Sequence, residues 1–185
     1  MLNDTDDPVS LYRTATDHAI AVMNAVKPGH LESPTPCTEW TVAQLIDHLV
    51  GGTEYLLSAA EGRAPEQPAA ATADDFQRSV ADVLTALQLP GAMERNCISP
   101  LGFEWPVSQA VAGTFMDVLI HTWDLARATG QDEKLDPELV DACAAMFLPE
   151  MPERGRAAGI ISPAIEVGDD ASAQDRLLAA MGRRP

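Results

Sequence analysis

The chain has 185 residues, of which 46% are hydrophobic and 22% are charged, and we expect residues 1–185 to form one helical domain. Its 28 acidic residues outnumber its 12 basic residues, which gives a formal net charge of -16 at pH 7. Nucleic acids and anionic membrane surfaces are bound by clustered lysine and arginine, so this charge excludes both as expected partners. The chain also lacks an uninterrupted apolar run of about 18 residues, so we expect no membrane span.

The cysteines indicate a reducing compartment. There are three, Cys37, Cys97 and Cys143, and no two of them form a CxxC pair. This pattern favours neither a zinc ribbon nor a thioredoxin-like redox motif, and an odd number of scattered thiols does not suggest a disulfide scaffold. The acidic N-terminus lacks the basic region and apolar run of a signal peptide, so we expect a cytoplasmic protein.

The first half of the sequence predicts two helices joined by a proline-rich loop. Asp7 is a good capping residue, and Pro8 suits the first helical position. Apolar residues then recur at helical spacing until Pro28, and residues 30–40 contain too many prolines for a continuous helix. Thr41 followed three residues later by Gln44 matches the capping box, which predicts a second helix that ends near residue 62.

The second half predicts two further long helices and several short elements. Residues 63–73 form a linker, and a third helix runs from Asp74 to about Leu89. Residues 92–106 favour an irregular loop or a small hairpin, before a fourth helix from about residue 107 to residue 129. A fifth helix of about a dozen residues begins after Asp136, residues 149–171 are expected to be largely irregular, and Ser172 caps a short final helix. Four main helices predict an all-α bundle with short additional C-terminal helices.

The fourth helix carries three ionisable residues on one face. Asp117, His121 and Asp124 are spaced i, i+4 and i+7, and apolar residues surround them in almost every other direction. A helix that is apolar all round is usually buried, so we expect these groups to be buried too. A buried carboxylate or imidazole is costly unless it is paired or coordinates a metal.

These residues and a histidine on the second helix suggest a metal site. His48 lies within the apolar ladder of its helix, where it could face Asp117 and His121. Two ligands at i and i+4 with a third from a facing helix make the open three-ligand arrangement of catalytic zinc, although nickel, iron or manganese would also accept these ligands. Asp124 is expected to lie outside the ligand set and to fix the tautomer of His121 by a hydrogen bond.

A purely structural interpretation is also open at this point. Asp117 and His121 could form a buried ion pair, while His48 separately bonds to a backbone carbonyl. Four more polar residues are candidate neighbours of the site, although each is more typical of a solvated surface: Glu39, Asp47, Glu54 and Arg127. The three tryptophans, Trp40, Trp105 and Trp123, favour packing in the core or at its rim over substrate binding.

Two segments carry a resemblance to a known family. TPCTEWTVAQLIDHLVGG and DVLIHTWDLARATGQ, in this order and separation, resemble the DinB/YfiT-like superfamily. More narrowly, they resemble actinobacterial metal-binding proteins related to the N-terminal domain of mycothiol-dependent maleylpyruvate isomerase. The tail DASAQDRLLAAMGRRP is also similar to the end of that short subfamily. The resemblance implies an up-down-down-up four-helix bundle that holds a divalent metal at one end.

The resemblance also implies the ligands and the chemistry. It places metal ligands at His48, Asp117 and His121, with Asp117 standing where the isomerase has a longer glutamate. It implies zinc, with nickel as the alternative, and mycothiol as a cosubstrate. The isomerase has an additional C-terminal domain that this sequence does not reach, so we do not expect maleylpyruvate isomerisation itself.

Three functional hypotheses follow. The first is a metal-dependent S-transferase that joins a mycothiol-type thiol to an electrophile. The second is a non-catalytic metal-binding protein that serves as a stress-linked sensor or interaction module. The third is a bundle whose polar stripe is only structural. A homodimer is compatible with each of them, and the sequence identifies neither the substrate nor a general acid or base.

Overall fold

The structure is a computed structural model, which describes residues 7–37, 40–66 and 71–185. The chain divides into two compact units, Met1–Asp132 and Glu133–Pro185. The first unit contains four helices and a hairpin: α1 Pro8–Asn24, α2 Val42–Glu61, α3 Ala73–Ala86, β1 Asn96–Ile98, β2 Glu104–Pro106 and α4 Val107–Thr129, together with a short 3-10 helix at Pro28–His30. The second contains α5 Pro137–Phe147, α6 Met151–Ala157 and α7 Ala173–Ala180.

Local capping chemistry sets the ends of the two helices in which the candidate ligands lie. At the start of α2, the backbone N–H of Gln44 donates to the Thr41 hydroxyl, and the Gln44 side chain accepts from the Thr41 backbone N–H. The predicted capping box is therefore confirmed. Both α2 and α4 end at glycines in the left-handed conformation, Gly62 with φ 73° and Gly130 with φ 68°, where a side chain would be strained.

The helices of the first unit have the up-down-down-up order. The Gln131 side chain, just after α4, donates to the carbonyl of Val22 near the end of α1, so α1 and α4 run parallel. Asp47, early in α2, accepts from the backbone of Ala71 just before α3, so α2 and α3 also start side by side. His48 of α2 contacts Asp117 of α4, and Gly52, one turn later in α2, faces Thr114, which lies earlier in α4. These two helices are therefore antiparallel. The predicted four-helix bundle with this up-down-down-up order is confirmed.

The core of this unit lies between its four helices, and α4 supplies the largest of the fully buried side chains, Trp123. The complete burial of a large apolar side chain contributes about 1.5–3 kcal/mol to stability before entropy is subtracted. The largest fully buried side chains of the first unit are Tyr12, Leu45, Leu49, Leu56, Phe76, Phe115, Leu119, Trp123 and Leu125. Both α2 and α4 contribute buried apolar side chains to this core, and the polar residues of interest lie where these two helices meet.

A two-stranded antiparallel hairpin lies beside α2. β1 and β2 pair with Cys97 opposite Trp105, which confirms the hairpin as the correct alternative for residues 92–106. The indole N–H of Trp105 donates to the Tyr55 hydroxyl at 2.8 Å, and that hydroxyl donates to the carbonyl of Ile98 at 3.0 Å. A Cβ at Gly113 would lie 2.9 Å from the Trp105 ring, so the absence of a side chain there lets the indole pack on α4.

The second unit is built on contacts between α5 and α7. The side chain of Gln174 accepts from the backbone N–H of Leu135 and donates to the carbonyl of Glu133, which ties the start of α7 to the segment before α5. Leu139, Val140, Leu177 and Leu178 are buried. The expectation that one domain spans residues 1–185 stays a prediction.

Residues 149–171 are largely irregular, as expected, apart from the short helix α6. This helix accommodates Pro152 in its first turn, where no backbone N–H is needed. A side chain at Gly155 of α6 would collide with Ile161, so this glycine serves packing and does not break the helix. The third helix begins one residue before Asp74, because Thr72 provides its cap, and ends at Ala86.

No helix in the part of the chain that the structure describes has both the length and the apolar character needed to cross a membrane.

Thr41→Ala tests the contribution of the capping box. The variant loses the hydroxyl that accepts from Gln44, so we expect the free energy of unfolding to fall by about 1 kcal/mol. Chemical denaturation followed by circular dichroism measures the change. Thr41→Ser is the matched control, because a serine hydroxyl caps equally well; equal losses in the two variants would contradict the assignment.

Candidate metal centre

The candidate site lies where α2 crosses α4. His48 comes from the second turn of α2, while Asp117 and His121 are one turn apart on α4. One side-chain atom from each residue lies within 4.8 Å of the other two. Among the residues that the structure describes, this is the cluster of histidine, cysteine and carboxylate side chains that could hold a metal ion.

Asp117 joins the two histidines. Its Oδ2 lies 2.9 Å from Nε2 of His48, and its Oδ1 lies 3.4 Å from Nε2 of His121. Ligands at about 2.1 Å from a tetrahedral zinc ion are roughly 3.4 Å from one another, so these separations are close to those of a shared ion. The side chain of Asp117 is short, but its carboxylate reaches both imidazoles.

Burial is uneven across the cluster, which corrects the prediction that the three ionisable groups of α4 are all buried. The side chain of Asp124 is 0% exposed and that of His121 is 9% exposed, but 33% of Asp117 and 34% of His48 are exposed. Asp117 lies on a partly exposed side of α4, since its neighbours Gly113 and Met116 are also only half-buried. The cluster therefore has a buried end at His121 and a solvent-accessible end at His48.

Asp124 contacts the far side of the His121 ring. Its Oδ2 lies 2.9 Å from Nδ1 of His121. A carboxylate at Nδ1 favours a proton on that nitrogen, which leaves Nε2 to face Asp117. This contact is the one expected from the i, i+3 spacing of the two residues, and it gives His121 a fixed ring orientation.

The charges of the cluster depend on one another. Burial lowers the pKa of His121, but attraction to Asp117 and hydrogen bonds to Asp117 and Asp124 outweigh this effect and raise the pKa to about 9. Burial likewise raises the pKa of Asp117, but the opposing effects of His121 and His48 hold this pKa well below its usual range. At neutral pH the metal-free cluster therefore pairs an imidazolium with carboxylates, so a metal that binds Nε2 of His121 must displace a proton.

Trp40 is a neighbour of the site that the sequence reasoning assigned only to packing. Its ring centroid lies 4.5 Å from that of His48 and 5.6 Å from that of His121, and the two imidazoles are 4.9 Å apart. Trp40 immediately precedes the Thr41 cap, a position from which apolar side chains often fold back over the first turns of a helix. That position was the signal in the sequence that could have placed it here.

The other candidate neighbours have partners elsewhere or cannot be placed. The Glu54 carboxylate accepts from Arg63 and from the backbone of Glu66, and Asp47 accepts from the backbone of Ala71. The guanidinium of Arg127 lies 4.9 Å from the centre of the Trp123 ring. Glu39 lies outside the described residues.

Comparisons with known proteins agree on one family. Residues 12–126 match the family described as the mycothiol maleylpyruvate isomerase N-terminal domain. Two uncharacterized proteins of Mycobacterium tuberculosis, MT0763 from strain CDC 1551 / Oshkosh and Rv0738 from strain ATCC 25618 / H37Rv, are each 38% identical to this chain over 135 residues. Each alignment covers 72% of this chain and 73% of the relative.

Two solved structures share the fold. They are crystal structures of the mycothiol-dependent maleylpyruvate isomerase and of a histidine-to-alanine mutant of that enzyme. Each superimposes with a TM-score of 0.59 at 16% sequence identity and covers 83% of this chain and 73% of the isomerase chain. At this identity the likeness establishes the fold and no more.

Asp117→Asn tests the origin of the His121 charge. Burial lowers the pKa of His121, and in this variant only the Asp124 carboxylate remains to raise it. We therefore expect the pKa of His121 in metal-free protein to fall from about 9 by about one unit or more. Asp124→Asn should lower it less, because Asp117 makes the larger contribution. NMR titration of the imidazole resonances, assigned with His121→Gln, measures both changes.

The same titration has a thermodynamic counterpart. The folded pKa of His121 lies above its value of 6.5 in an unfolded chain, so its contribution to stability is complete below about pH 6.5 and is lost as the pH rises through about 9. The stability advantage of the wild type over His121→Gln should therefore shrink across this range. If the difference in free energy of unfolding between the two proteins stayed constant across this pH range, a charged His121 paired with Asp117 would be contradicted.

Proposed function

The chain belongs to the family of the mycothiol maleylpyruvate isomerase N-terminal domain, and from this premise we propose that it is a divalent-metal-binding, thiol-dependent S-transferase. In the proposal His48, Asp117 and His121 hold the metal, with zinc preferred and nickel as the alternative. The cosubstrate is a low-molecular-weight thiol of the mycothiol type, and the second substrate is an electrophile. A cytoplasmic location is part of the proposal, and the absence of disulfides between the three cysteines is compatible with it.

The observation that carries the proposal is the convergence of three ligand atoms from two helices. His48 and Asp117 approach within 2.9 Å although 69 positions separate them in the chain. Two imidazoles and one carboxylate make a ligand set that is typical of catalytic zinc and leaves room for a further ligand. The residues therefore fit the metal that the family implies.

The residues of the chain have distinct parts in this proposal. Asp124 holds Nδ1 of His121 so that Nε2 faces the ligand position, and the buried environment keeps that ring from turning. The exposed third of Asp117 and of His48 marks the side from which a small molecule can approach. A divalent metal bound here would supply the positive charge that lowers the pKa of a thiol and favours its nucleophilic thiolate. In this proposal the thiol proton passes to solvent.

A purely structural cluster without a metal is compatible with the same distances. In it, Asp117 pairs with His48 and His121, and Asp124 pairs with His121. The two interpretations differ in what happens when metal is offered. A purely structural cluster would keep its pairs, whereas a ligand set would release the His121 proton and take up one ion.

Metal uptake is the first test of the proposal. We expect the untagged wild type to bind about one equivalent of zinc or nickel, and we expect His48→Ala, Asp117→Ala and His121→Ala each to weaken binding by at least about 100-fold. Isothermal titration of chelator-treated protein, with elemental analysis of the protein as purified, measures this. His18→Ala is the matched control, because His18 is a half-buried helical histidine outside the cluster. Unchanged binding in the triad variants, or no uptake by the wild type, would refute the metal site.

Thiol transfer is the second test. Mycothiol and 1-chloro-2,4-dinitrobenzene are incubated with metal-loaded protein; a C–S bond forms, the C–Cl bond breaks, chloride leaves and the thiol proton passes to solvent. We expect a metal-dependent rate at least about tenfold above that of His121→Ala, with bacillithiol and glutathione as comparison thiols. Stoichiometric metal binding without acceleration, for this and other electrophiles, would instead favour a non-catalytic metal-binding protein.

A further inference from the structure

We propose that Trp40 is a positioning residue that holds the His48 imidazole in the orientation needed to bind metal. The inference rests on the proposed metal site and extends it to a residue outside the ligand set. Three observations support it. The indole contacts both imidazoles, His48 is held by fewer contacts than His121, and the backbone of Trp40 is fixed by hydrogen bonds.

Trp40, His48 and His121 form a three-ring cluster. The indole is inclined by 38° to the His48 ring and by 39° to the His121 ring, and the two imidazoles meet edge to face at 75°. Centroid separations between 4.5 and 5.6 Å place all three rings in contact distance. The indole therefore contacts both imidazoles that the proposal uses as ligands.

The two histidines need this contact to different degrees. His121 is fixed by Asp124 at Nδ1, by Asp117 at Nε2 and by burial of all but 9% of its side chain. His48 contacts Asp117 through Nε2, but 34% of its side chain faces solvent. Its torsions would be free to carry the ring away from Asp117 unless a neighbouring surface restricts them, and the Trp40 indole, at 4.5 Å, is such a surface.

The backbone of Trp40 is anchored well enough to serve this purpose. Its N–H donates to the carbonyl of Cys37 at 2.8 Å, and its carbonyl accepts from both the backbone N–H and the hydroxyl of Thr35. Thr35 is 8% exposed, and its hydroxyl also donates to the carbonyl of Cys37. The capping residue Thr41 follows directly, so the indole is attached to a segment with fixed hydrogen bonds on both sides.

Trp105 provides a comparison within the same unit. It is also a half-buried tryptophan, and its indole donates to Tyr55 and packs against Phe103. Among the described residues, the Trp105 ring contacts the ring of Phe103, and the rings of His48 and His121 contact Trp40 and each other. A change at Trp105 therefore removes a similar amount of aromatic surface without altering the support of the metal ligands.

The test compares Trp40→Phe with Trp40→Leu, using zinc or cobalt(II) alone as the probe. Phenylalanine keeps an aromatic face beside His48, whereas leucine keeps apolar bulk without the ring. We expect Trp40→Leu to bind zinc about tenfold more weakly than the wild type, and Trp40→Phe to stay within about threefold. Cobalt-loaded Trp40→Leu should also show weaker visible absorption, because His48 then binds the ion in only part of the protein, and the remainder has a more hydrated site of higher coordination number.

Two controls separate positioning from folding. Thermal unfolding of each metal-free variant measures the structural cost, and Trp105→Phe and Trp105→Leu measure the effect of similar substitutions outside the site. A purely structural Trp40 would change the melting temperature but leave zinc affinity and the cobalt spectrum as in the wild type; that result would overturn the inference while the metal site stands. No metal uptake by the wild type would overturn the metal site and the inference together.

Discussion

The pairing of Asp117 with two imidazoles across the α2–α4 interface is the interaction on which the site depends. A carboxylate that is two-thirds buried is stable as an anion only if cationic or hydrogen-bonding partners compensate for lost solvation. Here the compensation comes from one histidine on the same helix and one on the facing helix. The same three groups provide the ligand atoms of the proposed metal site, so the structural and functional interpretations use one set of contacts.

The packing of the bundle makes this pairing geometrically specific. α2 and α4 run antiparallel, held by a core that includes Leu45, Leu49 and Leu119, and this fixes the level at which His48 meets Asp117. At the buried end, Asp124 restrains His121; at the exposed end, the Trp40 indole lies over His48. The site thus combines a buried end that is restrained by hydrogen bonds with an edge that is open to solvent.

Much of the fold could be predicted because its signals are local. The Asp7 and Thr41 caps, the terminal Gly62 and Gly130, and the apolar periodicity of α4 each act within a few residues, and the structure agrees with them. The short helix α6 was not predicted within the largely irregular residues 149–171, although Pro152 fits its first turn and Gly155 makes room for Ile161. α3 begins one residue before the predicted Asp74, because Thr72 caps it.

The sequence by itself determined which side chains share a helix face. The spacing of Asp117, His121 and Asp124 dictates their proximity, because an α-helix returns to the same face every three to four residues. Only the tertiary structure decided that His48 meets Asp117, that Asp117 is partly exposed and that Trp40 contacts both imidazoles. These features depend on how helices distant in sequence cross and on how the loop before α2 folds back, and such contacts leave no periodic pattern in the chain.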